Sequence, residues 1–258
     1  MRSPLSITLS VWRAIFLREA LDRLFRERAA WFWLLLEPVL YIMFIAFIWL
    51  ALRAHTIGGI DIAVWVMVGM LAYFLFRRTA IQVMYAAECN RAYFAYRQVK
   101  PFDTAIVRGA LEAFLMGIVA FIVLNAALLL GHDAIPQDPL GVISAAFGLW
   151  LLGLGYGLVA SVIMVLVPEL EHILNLFMLP MYLISGVIYP VASVPPPYRD
   201  LLMINPVAHA LEAVRQGYVP HYHAVDGVSL FYLYAWAAVA VLFGMLLYRR
   251  FALRLVMQ

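Results

Sequence analysis

The stretch from Glu88 to Asp103, E-C-N-R-A-Y-F-A-Y-R-Q-V-K-P-F-D, decides how the chain is read. It is the longest internal polar segment, and apolar runs long enough to cross a bilayer flank it. It holds Arg91, Arg97 and Lys100, the only lysine, interleaved with Tyr93, Phe94, Tyr96 and Phe102. Charges at this density do not belong in hydrocarbon. Excess Lys and Arg are retained on the cytoplasmic side of a membrane, which places the segment there. Read alone, it is either an ordinary positive-inside loop or a short aromatic helix that docks a soluble partner.

Moving outward, the whole chain has 258 residues, 66% hydrophobic and 13% charged. A soluble domain carries about 25% charged residues, so the deficit and the long apolar runs indicate a polytopic membrane protein. The formal net charge of +3 does not point to nucleic acid, because the basic residues gather at membrane boundaries. A single cysteine, Cys89, leaves no intramolecular disulfide and no cysteine metal cluster.

Upstream, 1–30 reads as an amphipathic helix in the interface. Leu9, Trp12, Phe16, Ala20 and Leu24 share one face, and Arg13, Glu19, Asp22, Arg23 and Arg26 another. Glu19–Arg23 and Asp22–Arg26 are i,i+4 pairs in the favourable order, and the arginines suit anionic headgroups. Charges interrupt any signal-peptide core. The first span, 31–53, contains Glu37-Pro38. A carboxylate at that depth must face protein or water, which makes Glu37 either a functional residue or a structural hydrogen-bonding group. The second span, 62–85, carries Arg77 and Arg78, which either snorkel to the cytoplasmic boundary or line a wet cavity.

Downstream, Asp103 reads as the N-cap of the third span, 104–130, in which Arg108 and Glu112 are spaced to pair with each other. The fourth span, 139–167, repeats Gly153, Gly157 and Ser161 every four residues, a stripe that lets helices approach closely. The fifth span, 173–189, is short and contains Pro180. Residues 190–225 are proline-rich and then polar, consistent with a re-entrant external segment. There Asn205-Pro206 reads as an N-cap followed by an N1 proline. His221 and His223 have no evident third ligand, so no metal site is expected. The last span is 228–248. With both termini inside, fifteen of the basic residues lie on the cytoplasmic side and three, Arg53, Arg199 and Arg215, outside. The expected fold is an all-α membrane protein with six transmembrane helices. No G-x-x-x-x-G-K occurs, so the chain has no P-loop of its own.

Three motifs then meet a family. N-R-A-Y-F-A-Y-R-Q-V-K-P-F-D, 90–103, resembles the N-R-x-L-x-x-x-x-Q-V-K-P-x-D segment of KpsM-type capsular polysaccharide export permeases, the membrane subunits of type-2 ABC exporters. S-G-V-I-Y-P (185–190) with V-P-P-P-Y-R (194–199), and N-P-V-A-H-A-L-E-A-V-R-Q-G-Y (205–218), are similar to the family's external segment. Tyr93 departs from a usually aliphatic position. The resemblance implies a homodimer above two copies of a separate ATPase, with ATP and Mg bound there and no cofactor in this chain. It implies a coupling helix at 86–101, with Glu88, Asn90, Arg91, Tyr93, Tyr96, Arg97, Lys100 and Pro101 facing the ATPase. It also implies a lipid-linked acidic glycan as substrate, a periplasmic co-polymerase adaptor, an outer-membrane exit protein and a bacterial inner-membrane location.

A sugar path needs aromatics for stacking and few strong fixed sites. Trp33, Tyr41, Tyr73, Phe76, Tyr85, Phe177 and Tyr182, with Glu37, Arg77 and Arg78, are the candidates for it. Asn205, Pro206, His209, Glu212, Arg215 and Tyr218 are candidates for an external gate or adaptor face, or Glu212 and Arg215 form only a local i,i+3 pair at the membrane surface. The rival readings are an exporter of O-antigen or another lipid-linked glycan, a membrane-embedded enzyme, and an ion-coupled transporter. The enzyme lacks convergent catalytic groups, and the ion-coupled transporter lacks an internal repeat.

Overall fold

The computed structural model describes residues 4–25, 30–51, 56–96, 98–219, 222 and 225–257. Helix α1, Pro4–Phe25, leads to α2, Ala30–Ala51. Strands β1, Thr56–Ile57, and β2, Ile60–Asp61, form a two-residue hairpin in which Gly58 and Gly59 both take positive φ, as such tight turns require. Asp61 then caps α3, Ile62–Met84, by accepting from the backbone of Ala63 at 2.8 Å. α4, Ala86–Cys89, and a 3-10 turn, Arg91–Ala95, connect to α5, Pro101–Leu129. α6, Pro139–Leu166, follows, then α7, Glu171–Leu176, and α8, Met178–Ile184. α9, Tyr198–Leu202, α10, Pro206–Gln216, α11, Leu230–Arg250, and α12, Ala252–Met257, complete the chain.

Among the described residues four helices, α3, α5, α6 and α11, are long and apolar enough to cross a membrane, and α2 contributes a shorter apolar stretch, Leu36–Trp49. α3 is buried along most of its length and runs unbroken through Arg77 and Arg78. α6 is clasped between α3 and α11. A Cβ on Gly153 would lie 2.7 Å from the Phe76 carbonyl, and one on Gly157 2.6 Å from that of Ala80. On the opposite side of α6, a Cβ on Gly155 would lie 2.6 Å from the Ala240 Cβ. The small residues let three backbones close on one another, which is where packing energy comes from when lipid is the alternative neighbour.

Three sequence expectations change here. The stretch 173–189 is not one continuous helix. Pro180 removes an N–H and crowds the carbonyl of Leu176, and the helix is divided at Phe177. Residues 171–184 together reach roughly 21 Å at 1.5 Å per residue, short of the ~30 Å hydrocarbon core. The segment 86–101 is not one helix: it holds a helical turn, Ala86–Cys89, and a 3-10 turn, Arg91–Ala95, with Asn90 drawn inward between them. Asp103 is not the N-cap of α5. Pro101 starts that helix, and the Asp103 carboxylate accepts from the Lys100 N–H at 3.0 Å from the third helical position.

Candidate functional site

Six ionisable side chains from α1, α2, α3 and α5 meet in one network. Glu19, nearly buried on α1, accepts from Arg108 Nε at 2.8 Å and lies 3.5 Å from Arg23. Arg23 donates to Glu112, which has no exposed surface, and to Gln82 at 2.7 Å. Arg78 on α3 reaches Glu112 at 3.3 Å and Glu37 on α2 at 3.6 Å. Three arginines thus balance three glutamates. Glu112 lies eleven residues into α5, roughly 16 Å along the axis, and at that depth an unpaired carboxylate is costly. Burial pulls the Arg23 guanidinium down to about 10, Arg108 adds to the fall and Glu19 opposes it, so the group stays cationic at neutral pH. The expected Arg108–Glu112 pair therefore does not form, because each finds a partner on α1. Arg23 likewise points into this network instead of toward headgroups.

The segment 86–101 hangs from the same network. Asn90 is buried and donates to Glu19 at 2.7 Å and to the Ala86 carbonyl at 3.1 Å. Tyr93 is half-buried under the Arg18 guanidinium, 3.9 Å from the ring centroid. Pro101 is buried at the start of α5. Glu88, Arg91, Tyr96 and Lys100 are exposed, and Arg91 donates to the Met257 carbonyl at 3.4 Å. Arg97 lies outside the described residues. Trp12 Nε1 adds a second tie between α1 and the start of α5, donating to Asp103 at 2.9 Å. A polar cavity of about 380 Å³ opens between α1, α4 and α5, lined by Arg18, Glu19, Asp22, Arg23, Cys89 and Arg108.

The ten candidates for a sugar path separate into two groups. Trp33, Glu37 and Tyr41, with Leu40 and Phe44, line an open cleft of about 480 Å³ on the outer face of α2. Positions 33, 37, 41 and 44 follow the i, i+4, i+8, i+11 spacing of one helical stripe. Glu37 keeps half of its side-chain surface exposed while Arg78 stands behind it. Phe177 is exposed and stacks on Tyr156. Arg77 is half-buried. Tyr85 accepts from Asn175 at 2.6 Å and donates to Glu171 at 2.8 Å. Tyr73 and Phe76 are buried: Tyr73 is engaged with the Met178 carbonyl, and Phe76 packs the core while its edge lines an apolar pocket with Tyr156 and Trp236. Tyr182 is half-buried against Tyr73 and donates to Met70 Sδ at 3.1 Å.

The external candidates are corrected. α10 was expected to show a polar face for a gate or adaptor, but both of its faces are inside the bundle. Glu212 and Arg215 have no exposed surface and pair at 3.1 Å. Arg215 also donates to the carbonyls of Gly186 and Val187 at 2.9 and 3.0 Å, and lies 3.6 Å over the Trp65 ring. Gly69 on α3 leaves the room that this guanidinium occupies. Tyr222 joins Trp65 to Glu212 through its hydroxyl. His209 bridges two breaks: its Nδ1 accepts from Ser229 N–H at 3.1 Å, which leaves Nε2 to donate to the Met203 carbonyl at 2.7 Å. Asn205 caps α10 on Val207 N–H at 3.0 Å and donates to Ser185 at 2.8 Å, and Pro206 is the first helical residue. Tyr218 is buried. A buried ion pair with four further partners offers no adaptor-docking face, because no soluble protein reaches it in this structure. His221 and His223 lie outside the described residues, and no cluster of metal-ligating side chains occurs among the described ones.

Sequence reasoning missed Glu19, Arg23, Gln82, Arg108 and Glu112 as a group, and Trp65 with Gly69. The signal for the first set was present: charges on an otherwise apolar α5 demand partners, and α1 offers the complementary ones.

Residues 10–219 match the family model described as ABC-2 type transporter. The chain is 30% identical over 248 residues, 96% of either chain, to the polysialic acid transport protein KpsM of Escherichia coli. It is 23% identical over 248 residues, 96% of this chain and 93% of the relative, to the capsule polysaccharide export inner-membrane protein CtrC of Neisseria meningitidis serogroup B. With the capsule polysaccharide export inner-membrane protein BexB of Haemophilus influenzae it shares 24% over 217 residues, 84% of this chain and 82% of the relative.

Proposed function

The chain belongs to the ABC-2 type transporter family, and from that premise we propose that it is the membrane permease subunit of an ATP-driven exporter of capsular polysaccharide. The observation that carries this reading is the match along nearly the whole chain to transport and export proteins of capsular glycans. The chain itself does no chemistry. ATP and Mg act on a separate cassette ATPase, two copies of which sit under a homodimer of this subunit. The subunit lies in the inner membrane with both termini cytoplasmic and six crossings, the fifth made by the bent α7–α8 segment together with the non-helical stretch 185–190 that continues it. A periplasmic adaptor and an outer-membrane exit protein continue the route.

The geometry supports a division of labour. The exposed side of the coupling segment, Glu88, Arg91, Tyr96 and Lys100, is free to meet the ATPase, whereas Asn90 on the inner side is bonded to Glu19. Glu19 leads to Arg108 on α5 and, through Arg23, Glu112 and Arg78, to α3 and α2. A push on the segment is thereby passed to the helix that carries the Trp33–Glu37–Tyr41 stripe. An exposed carboxylate on that stripe is stable only against water or a second chain, which favours placing the glycan path and the dimer seam there. Arg77 and Arg78 at the inner end draw an anionic polymer toward it.

The test is export in cells whose own subunit is replaced by variants. Arg77→Ala, which leaves the Arg78–Glu112 pair in place, lowers surface glycan several-fold at normal protein level, with the ATPase still co-purifying. Wild-type export by that variant rules out the entrance assigned here.

A further inference from the structure

A second pocket lies at the same end of the molecule, and of its lining only Lys100 takes part in the steps above. It has a volume of about 530 Å³ and lies between the lead-in to α5, the last turns of α11 and the short helix α12. Phe94, Val99, Phe102, Tyr248, Leu253 and Val256 give it an apolar wall, and Lys100 and Arg249 are its charged residues. No carboxylate lines it among the described residues. The nearest in sequence, Asp103, is occupied by the Lys100 N–H and by Trp12. Lys100 and Arg249 are both exposed and neither has an ion-pair partner among the described residues. Arg91, bonded to the Met257 carbonyl, ties α12 to the coupling segment next to the pocket.

Position decides the chemistry of the occupant. Met245 lines the pocket from the apolar part of α11, and Arg249 stands one turn further on, roughly 6 Å along the axis. The pocket therefore straddles the edge of the hydrocarbon, with an apolar side toward the membrane and two unpaired cations toward water. A soluble peptide satisfies the cations and leaves the membrane side empty, and a neutral lipid does the reverse. We propose that this pocket binds an anionic phospholipid from the leaflet on that side. One acyl chain lies along Phe102, Leu253 and Val256, and the phosphate sits between the Lys100 ammonium and the Arg249 guanidinium. The bound lipid joins α12 to the coupling segment.

Native mass spectrometry of the full chain, delipidated and then equilibrated with equimolar phosphatidylglycerol and phosphatidylcholine, reads this directly. One phosphatidylglycerol per chain is retained in preference to phosphatidylcholine. Lys100→Gln with Arg249→Gln lowers its retention about tenfold, and Lys100→Arg with Arg249→Lys preserves it. Leu253→Trp, at an exposed position that tolerates the larger ring, fills the pocket and lowers retention of lipid with both cations intact. Equal retention of the two lipids overturns the proposal, as does undiminished retention in the double Gln variant. So does an equal loss in a control carrying Arg13→Gln and Arg199→Gln. Release of the lipid on assembly with the ATPase assigns the pocket to that protein instead.

Discussion

Glu112 has no surface of its own, and two arginines from different helices converge on it. Glu112→Gln leaves Arg23 and Arg78 without their shared anion at membrane depth and costs about 3 kcal/mol. Thermal unfolding in detergent shows this as a clear drop in Tm, whereas Asp200→Asn, whose pair with Arg199 is 4.0 Å long and exposed, leaves Tm unchanged. Gly69 and Gly117 give a matched contrast. A Cβ at Gly69 strikes the Arg215 guanidinium, while one at Gly117 meets nothing within 4 Å. Gly69→Ala therefore lowers stability by about 1–3 kcal/mol through overpacking, and Gly117→Ala raises it by about 0.5–1 kcal/mol through the unfolded chain and helix propensity. The same thermal scans decide both. At this scale the sequence is legible where a rule is local: Asn205-Pro206 caps α10 as its residue types require. It misleads where the partner is remote. Arg108 and Glu112 have the spacing of a helical pair, yet each is taken by α1, 89 residues away in the chain, and no local pattern encodes that choice.

Among the elements, the coupling segment and α10 depart furthest from their sequence reading, for the same physical reason. Mixed polarity along a helix was read as one face for protein and one for solvent. Here polar groups turn inward wherever buried partners satisfy them, as Asn90 does with Glu19 and Arg215 with Glu212 and two carbonyls. Asn90→Ala removes the tie between segment and α1 while leaving the exposed contacts in place. It keeps the ATPase bound but lowers glycan-dependent hydrolysis several-fold, as assayed on the co-purified complex. Charge reversal at Arg91 and Lys100 instead weakens co-purification itself. A result in which both variants lose binding equally means that the segment has no separate transmitting side. The split at Phe177 was foreshadowed by Pro180, but the loss of a straight crossing there needed the geometry of the turn at Gly186.

For the whole molecule, what was readable was the class: long apolar helices, a polar segment that cannot enter hydrocarbon, and a small-residue stripe on α6 that closes on α3 and α11. The order in which helices share charges was not readable, because it depends on which of several complementary groups lie at one depth. The result is a bundle tied together by ions among α1, α2, α3 and α5 and, elsewhere, by Arg215 over Trp65. On the reading proposed above, such a body moves when an ATPase partner pulls on Glu19 through Asn90. Glycan entry into inverted proteoliposomes, measured with the chain alone and with its co-purified ATPase plus ATP, tests this most directly. The account predicts no transport by the chain alone, and ATP-dependent transport by the pair that is abolished in Asn90→Ala. Sustained glycan transport by the chain without a nucleotide-hydrolysing partner would contradict it.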